Sequence, residues 1–318
     1  MSFYRFNECL LTLYEDGKTT EIVFPEELYG IATFNQSRRY VAVSSQNKIF
    51  VYDFETEKTI TLRHKSKYPL RDFRFDGSDR LYYIDGNQLG FLDINNGEDT
   101  YLFDVGRKYN NPQNIGVSSD GRYVSFCRYR SDNLYLYLFD TQNEELIDHK
   151  LSLYHYAWLD DAHIAWSKGG GLKVLDVNTG KSQLLVKDHK TLIKKSKENA
   201  ERFAMFHASD NASLYVDVDL LRILNGKIYF SLVINDLKST VPENQKRHYG
   251  IWSIHSQDNS IEFHYEFSSD CLKAGERFIT NDGKLAWCKN EWHICDGVSE
   301  ETFPRDWEQA IYFDSLNR

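Results

Sequence analysis

Proline and methionine are scarce in this chain, with five Pro and two Met in 318 residues. Scarcity of both argues against a disordered or a helical chain. The five Cys are an odd number with no framework spacing, so paired disulfides are not expected and reduced thiols in a cytoplasm are. No run of about 20 apolar residues occurs, which removes a membrane-spanning helix. Met1 to Phe24 has no basic start followed by an apolar core, so no secretory leader is expected. Basic charge is not in surplus either. The formal charge is −9, which disfavours the surface as a whole as a binder of nucleic acid or anionic lipid, although charge can still be segregated between faces. These absences predict a cytoplasmic protein that does not bind membranes.

Aromatics, by contrast, are abundant: 15 % of the residues, dominated by 21 Tyr and 20 Phe. Such β-formers suit many half-buried strands packed face to face. One phrase recurs, as IFVYDFETEK at 49–58, LGFLDINNGE at 89–98, LYLFDTQNEE at 136–145 and LKVLDVNTGK at 172–181. Each copy is an apolar strand ending on an Asp (Asp53, Asp93, Asp140, Asp176), followed by a polar turn and a second strand. The interval of roughly 40 residues is that of a four-stranded propeller blade. The fold class expected is therefore all-β, a single-domain propeller of four-stranded antiparallel blades.

With strands A to D counted from the axis outward, the blades fall at about 30–64, 67–105, 112–151, 154–187, 213–267 and 271–304. After Asp176 the interval nearly doubles, and His255 stands where the next strand-ending Asp is due. Two blades there would make an eight-bladed ring. Segment 191–207, TLIKKSKENAERFAMFH, lacks alternation and reads as a short helix, and 237–248, LKSTVPENQKRH, reads as a loop. Removing both leaves one ordinary blade. Near the C-terminus AIYFDS (310–315) is one further strand, and before Gly30 lie SFYRFNE, CLLTLYED and TTEIVF. One plus three makes a seventh blade of 306–318 and 1–25 that latches the ring and leaves no open edge. The alternative is that the N-terminal strands cap an edge.

The strand-final pairs YD at 52–53, LD at 92–93, FD at 139–140 and LD at 175–176, with DG turns at 76–77, 120–121 and 282–283, resemble those of WD-repeat and TolB-like propellers. The likeness spans nearly the whole chain, and no blade carries an intact GH…WD pair. The resemblance implies the fold and a habit of binding proteins through ring surfaces; it carries over no catalytic residue.

Sorting the loops by ring face separates charge. The C–D turns are acidic: Glu55 and Glu57, Glu98 and Asp99, Glu144 and Glu145, Glu300 and Glu301. The D–A and B–C loops are basic: Arg63, Lys65 and Lys67; Arg107 and Lys108 beside Tyr109; Arg128 and Arg130; Lys194, Lys195 and Lys197; Lys246 and Arg247. Both insertions land on that basic face, so the partner expected is a protein with an acidic surface, met by a monomer. Solvated lysine loops that serve only solubility are the bland alternative. Nucleic acid is a weaker fit, because no recognised binding motif accompanies the charge.

Chemistry is thinly represented. Cys288, His293 and Cys295 share a face if Asn290–Glu291 is a two-residue turn, yet a zinc site needs a fourth ligand that the hairpin does not offer. Asp217 and Asp219 alternate on the innermost strand of blade five, where paired carboxylates bind a cation, act as acid and base, or tie down loops. The run GGG at 169–171 lacks the Lys-Ser/Thr of a phosphate loop and reads as a hairpin turn. No cofactor is expected. Two functions follow: a non-enzymatic protein-binding scaffold, in its sharper form a dedicated inhibitor such as a toxin-neutralising immunity protein, or a hydrolase-type or metal-assisted enzyme with its site at the channel mouth.

Overall fold

The computed structural model describes residues 2–303 except 16–17, 36, 65–69, 71, 86, 105–112, 131–132, 154, 169–170, 188–213, 225, 237–246, 256–257, 268–275, 281–282 and 289. Among the described residues every regular element is a strand, and no helix long and apolar enough to cross a membrane occurs. The chain divides into two compact units at Ser152/Leu153.

The first unit opens with a three-stranded sheet, β1 (Ser2–Asn7), β2 (Leu10–Glu15) and β3 (Lys18–Val23). Three four-stranded sheets follow. They comprise β4 (Tyr29–Phe34), β5 (Tyr40–Ser44), β6 (Lys48–Asp53) and β7 (Lys58–Arg63); then β8 (Phe73–Phe75), β9 (Arg80–Asp85), β10 (Gln88–Asp93) and β11 (Asp99–Asp104); then β12 (Gln113–Val117), β13 (Tyr123–Arg130), β14 (Asn133–Asp140) and β15 (Glu145–Ser152). The second unit holds three more: β16 (His155–Trp158), β17 (His163–Ser167), β18 (Leu172–Asp176) and β19 (Ser182–Val186); β20 (Leu214–Leu224), β21 (Lys227–Asp236), β22 (Arg247–His255) and β23 (Ile261–Glu266); β24 (Glu276–Ile279), β25 (Leu285–Cys288), β26 (Trp292–Cys295) and β27 (Glu300–Phe303). Every pairing is antiparallel between consecutive strands, the meander of a propeller blade. First strands stand beside first strands, β4 by β8 by β12 in one unit and β16 by β20 by β24 in the other.

Three expectations change. The described residues form six four-stranded blades rather than seven: β1 pairs with β2 alone, so the N-terminal strands are a three-stranded sheet, and 310–315 lies outside the described residues. Among the described residues the interval after Asp176 holds one four-stranded blade, β20–β23, and not the two of the eight-bladed alternative. The helix expected at 191–207 lies outside the described residues, and the loop expected at 237–248 is strand from Arg247 onward.

Burial explains the sequence pattern. The middle strand β5 is covered on both faces by neighbouring sheets, and β5 and the first six residues of β13 are buried throughout. Alternation decides which neighbour each residue meets. Val41, Val43 and Phe50 pack with Leu11, Leu13 and Ile22 of the N-terminal sheet, whereas Ala42, Ile49 and Val51 pack with Phe73, Leu81 and Leu92 of blade two. The outer strands β7 and β11 stay largely exposed or half-buried. Blades two, four and five share one irregularity: a register shift against the third strand leaves Leu102, Leu185 and His264 as the extra residue of β11, β19 and β23.

The recurring Asp is turn chemistry. Asp53 Oδ1 accepts the Glu55 N–H, Asp93 Oδ1 that of Asn95, Asp140 Oδ1 that of Gln142 and Asp176 Oδ1 that of Asn178, each at 2.8–2.9 Å. Four residues after each Asp the backbone turns left-handed, at Glu57 (φ 54°), Gly97 (72°), Glu144 (52°) and Gly180 (69°). Asx turns of this kind close the hairpin locally.

Candidate functional site

At the A–B and C–D end, blades one to three place an arginine at or next to the start of the second strand, beside the carboxylate that ends the third. Arg39 forks onto Asp53 (Nε to Oδ1 3.1 Å, Nη2 to Oδ2 2.8 Å) and reaches Glu55 at 2.9 Å. Arg122 meets Asp140 at 3.1 Å. Arg80 pairs in register with Asp93, and His163 with Asp176. Arg39 and Arg122 also lie over the rings of Tyr40 and Tyr123, at 4.9 and 4.7 Å. Blade five has His255 in the Asp position, and there Lys227 bonds instead to Glu262 of β23 at 2.8 Å. The carboxylate has moved one strand outward and the tie is kept.

The ladder sets the acidity of its members. The Arg39 guanidinium, aided by the Glu55 N–H, holds Asp53 far below the usual carboxylate range against the pull of burial. For Asp140, burial acts upward but is overcome by Arg122 and by the Asn143 and Gln142 N–H groups, so its pKa too is lowered. Asp296, accepting from the Ser299 and Val298 N–H groups, is held at about 2. Beneath its exposed acidic C–D turns this end is therefore a cross-tied array.

A second repeated element escaped the sequence reading. In four blades the polar residue just after the first strand takes an N–H at the start of the second: Asn35 from Tyr40, Asp76 from Arg80, Ser118 from Tyr123 and Thr280 from Lys284, at 2.9 Å each. Neighbouring turns also interlock. Asn35 Nδ2 donates to Asp79 at 2.8 Å, Gly77 N to Ser119 O at 2.8 Å, and the hydroxyls of Tyr82 and Tyr265 to Gly121 O and Gly283 O at 3.3 and 3.1 Å. Its only sequence signal was a polar residue four or five positions before each second strand.

Of the expected partner-binding residues, Arg130 is exposed at the end of β13 beside exposed Tyr129, and Arg247 opens β22 in register with Asn235. Lys65, Lys67, Arg107, Lys108, Tyr109, Lys194, Lys195, Lys197 and Lys246 lie outside the described residues. Arg63 is exposed at the same end as Arg130. Arg128 is not part of that surface: it is buried, with its guanidinium over Phe126 and Tyr137 at 5.0 and 5.2 Å.

The shared face of Cys288, His293 and Cys295, conditional on a two-residue turn, does not form. The hairpin pairs Cys288 with Trp292 and Trp287 with His293, because its loop has three residues and not two. Cys288 thereby takes the face opposite His293 and Cys295. His293 stacks on Trp287 with centroids 3.8 Å apart, and its Nδ1 meets Glu300 at 2.5 Å. No group of three metal-ligating side chains occurs among the described residues. Asp217 and Asp219 hold alternate positions on β20, in register with Val233 and Ser231, and a register shift follows Asp219. One further polar pair was unforeseen. His264, the extra residue of β23, bonds through Nε2 to Ser253 Oγ at 2.9 Å and stacks on Tyr229. Ser253 is 1 % exposed, so its hydroxyl is closed to an incoming substrate and the pair ties strands together.

No protein family matches the chain. No curated protein matches it by sequence. Similar solved structures include oligogalacturonate lyase from Vibrio parahaemolyticus, at 9 % identity over 95 % of this chain and 78 % of that one, with a TM-score of 0.56. A structure of the mitotic checkpoint complex matches at 11 % identity over 95 % and 82 %, TM-score 0.56, and U3-55K at 8 % over 93 % and 85 %, TM-score 0.51. These neighbours are β-propellers, and the fold of this chain is theirs.

Proposed function

We propose that the protein is a non-enzymatic binding scaffold that holds a protein partner with an acidic surface against the D–A and B–C end of its blades. The supporting observation is the pair of exposed arginines, Arg63 and Arg130, at that end. Cations at the A–B and C–D end are engaged by carboxylates of their own blade, Arg39 by Asp53, Arg122 by Asp140 and Lys227 by Glu262. At the opposite end Arg63 and Arg130 are exposed, and the loops that follow them in sequence carry Lys65, Lys67, Arg107, Lys108, Lys194, Lys195, Lys197 and Lys246. Exposed cations at the loop end of a blade favour fast capture of an acidic surface. The propeller fold supports the reading too, since a chain of the mitotic checkpoint complex shares it. In its sharper form the scaffold is a monomeric, cytoplasmic inhibitor dedicated to one partner, such as an immunity protein that neutralises a toxin.

The test is affinity purification from the native cell, followed by association kinetics with the partner recovered. Arg130→Glu together with Lys194→Glu, Lys195→Glu and Lys197→Glu is expected to slow association at least about tenfold at low salt, with the difference shrinking as salt rises. An unchanged on-rate refutes the basic face. Turnover of a hydrolase substrate abolished by Asp217→Ala, which leaves the basic loops intact, refutes the scaffold and favours the enzyme.

A further inference from the structure

Blades one and two meet at a buried histidine. His64 follows β7, is 6 % exposed, and neither of its ring nitrogens has a hydrogen-bond partner. Its ring lies 6.5 Å from that of Tyr83, within the core that Leu62 and Leu70 share with Phe73 and Leu81. The charged groups that act on it come from blade two: Asp85 at the end of β9 and Asp99 at the start of β11. Asp99 is itself half engaged. Its Oδ1 accepts the Tyr83 hydroxyl at 2.6 Å, and its Oδ2 is buried without a partner. The Tyr83 phenol reaches Asp99 across Gly90, where a Cβ would stand 3.0 Å from the Tyr83 ring and 2.8 Å from Thr100 O. On its own strand the cationic neighbour of His64 is the exposed Arg63.

A neutral imidazole has one N–H and one lone pair, whereas an imidazolium has two N–H groups and needs two acceptors. Neither nitrogen of His64 meets an acceptor where it sits, and both nearby carboxylates belong to the neighbouring blade. We infer that His64 is a proton-operated joint: neutral, it seals blade one against blade two, and protonated, it opens that seal. Taking up the proton requires movement of the imidazolium toward Asp85, Asp99 or water, and each route disturbs the shared core.

The sign follows from burial. Desolvation lowers the His64 pKa from its ordinary 6.5, and the attraction of Asp85 and Asp99 only partly offsets it. The sealed state therefore binds the proton less readily than the open one. Its advantage is complete above pH 6.5 and is lost as pH falls through the lowered pKa. Opening grows by up to about tenfold per pH unit in that window.

The experiment is hydrogen exchange of the full chain at pH 7.5 and 5.5, corrected for the intrinsic rate, on the wild type, His64→Phe and His64→Gln. Wild-type protection of β7 and β9 is expected to fall on acidification relative to β17 and β18, by up to about tenfold, and both variants are expected to lose that difference. An equal acid response in the wild type and a folded variant overturns the joint. Should both variants fail to fold, the wild-type His64 ring resonance decides: titration below pH 6.5 with coupled shifts in β9 supports the proposal, and titration at or above 6.5 overturns it.

Discussion

Asp76→Asn is expected to stabilise the protein at neutral pH, an unusual direction for a change at a buried site. Asp76 is 4 % exposed and follows β8. Its Oδ1 accepts the N–H groups of Ser78 and Arg80 at 2.8 and 2.9 Å, while Oδ2 is buried against Gly121 with no partner. The same position is filled by Asn35, Ser118 and Thr280 in three other blades, so among these four caps Asp76 is the ionisable one. Burial raises the Asp76 pKa above 3.8, outweighing the two N–H groups and the nearby Arg80. An asparagine keeps Oδ1 and both bonds, and removes the charge. The amide NH2 that takes the place of Oδ2 is itself without a partner, so the substitution removes only the cost of burying the charge, and a gain on the order of 1 kcal/mol is expected at pH 7. Because the folded pKa is raised, the penalty is absent below pH 3.8 and complete above the folded pKa; the advantage of Asn must shrink as pH falls toward 4. Urea unfolding from pH 4 to 8 measures it. A gain that does not vary with pH, or a loss at pH 7, refutes the reasoning. Asp76→Ala serves as the control, expected to lose about 1–2 kcal/mol with its two turn bonds.

Two further perturbations read the same framework. Glu57→Gly and Glu144→Gly occupy left-handed turn positions that Gly97 and Gly180 fill in sister blades, so each is expected to raise stability by about 0.5–1 kcal/mol in thermal or urea melts; a loss on both would show that the turns do not set the cost. Gly90→Ala brings a methyl within 2.8 Å of Thr100 O and 3.0 Å of the Tyr83 ring and is expected to cost about 1–3 kcal/mol. An unchanged melt for Gly90→Ala would mean that Tyr83 does not depend on the gap.

What was legible in the sequence was what is local. Asp53, Asp93, Asp140 and Asp176 announce themselves because an Asx turn involves only residues two to four positions away. The mostly apolar run of β5 reports burial on two faces, again within a single strand. Illegible was what depends on register or on a neighbour. One residue more in the loop before Trp292 dissolved the Cys288–His293–Cys295 grouping, and nothing in Lys289-Asn290-Glu291 reveals that length. Arg128 counts as surface charge until Phe126 and Tyr137 are seen beneath it. His64 and Asp76 look unremarkable until two blades close over them. Blade five shows the same limit from the other side: with His255 in the Asp position, its tie is found only when Lys227 and Glu262 are seen together.

The irregular outer strands bear on how the protein survives crowding at high concentration. A blade's last strand offers a row of backbone groups to any passing chain, and a regular one is a template for accretion. The displaced residues Leu102, Leu185 and His264 spoil that template on β11, β19 and β23. By contrast β7 pairs without a break from Lys58 to Arg63, and only its exposed Lys58 and Arg63 stand against a stranger's strand. Fibrillar aggregation of this protein, if provoked by neutralising those two side chains, should begin at the rim of blade one.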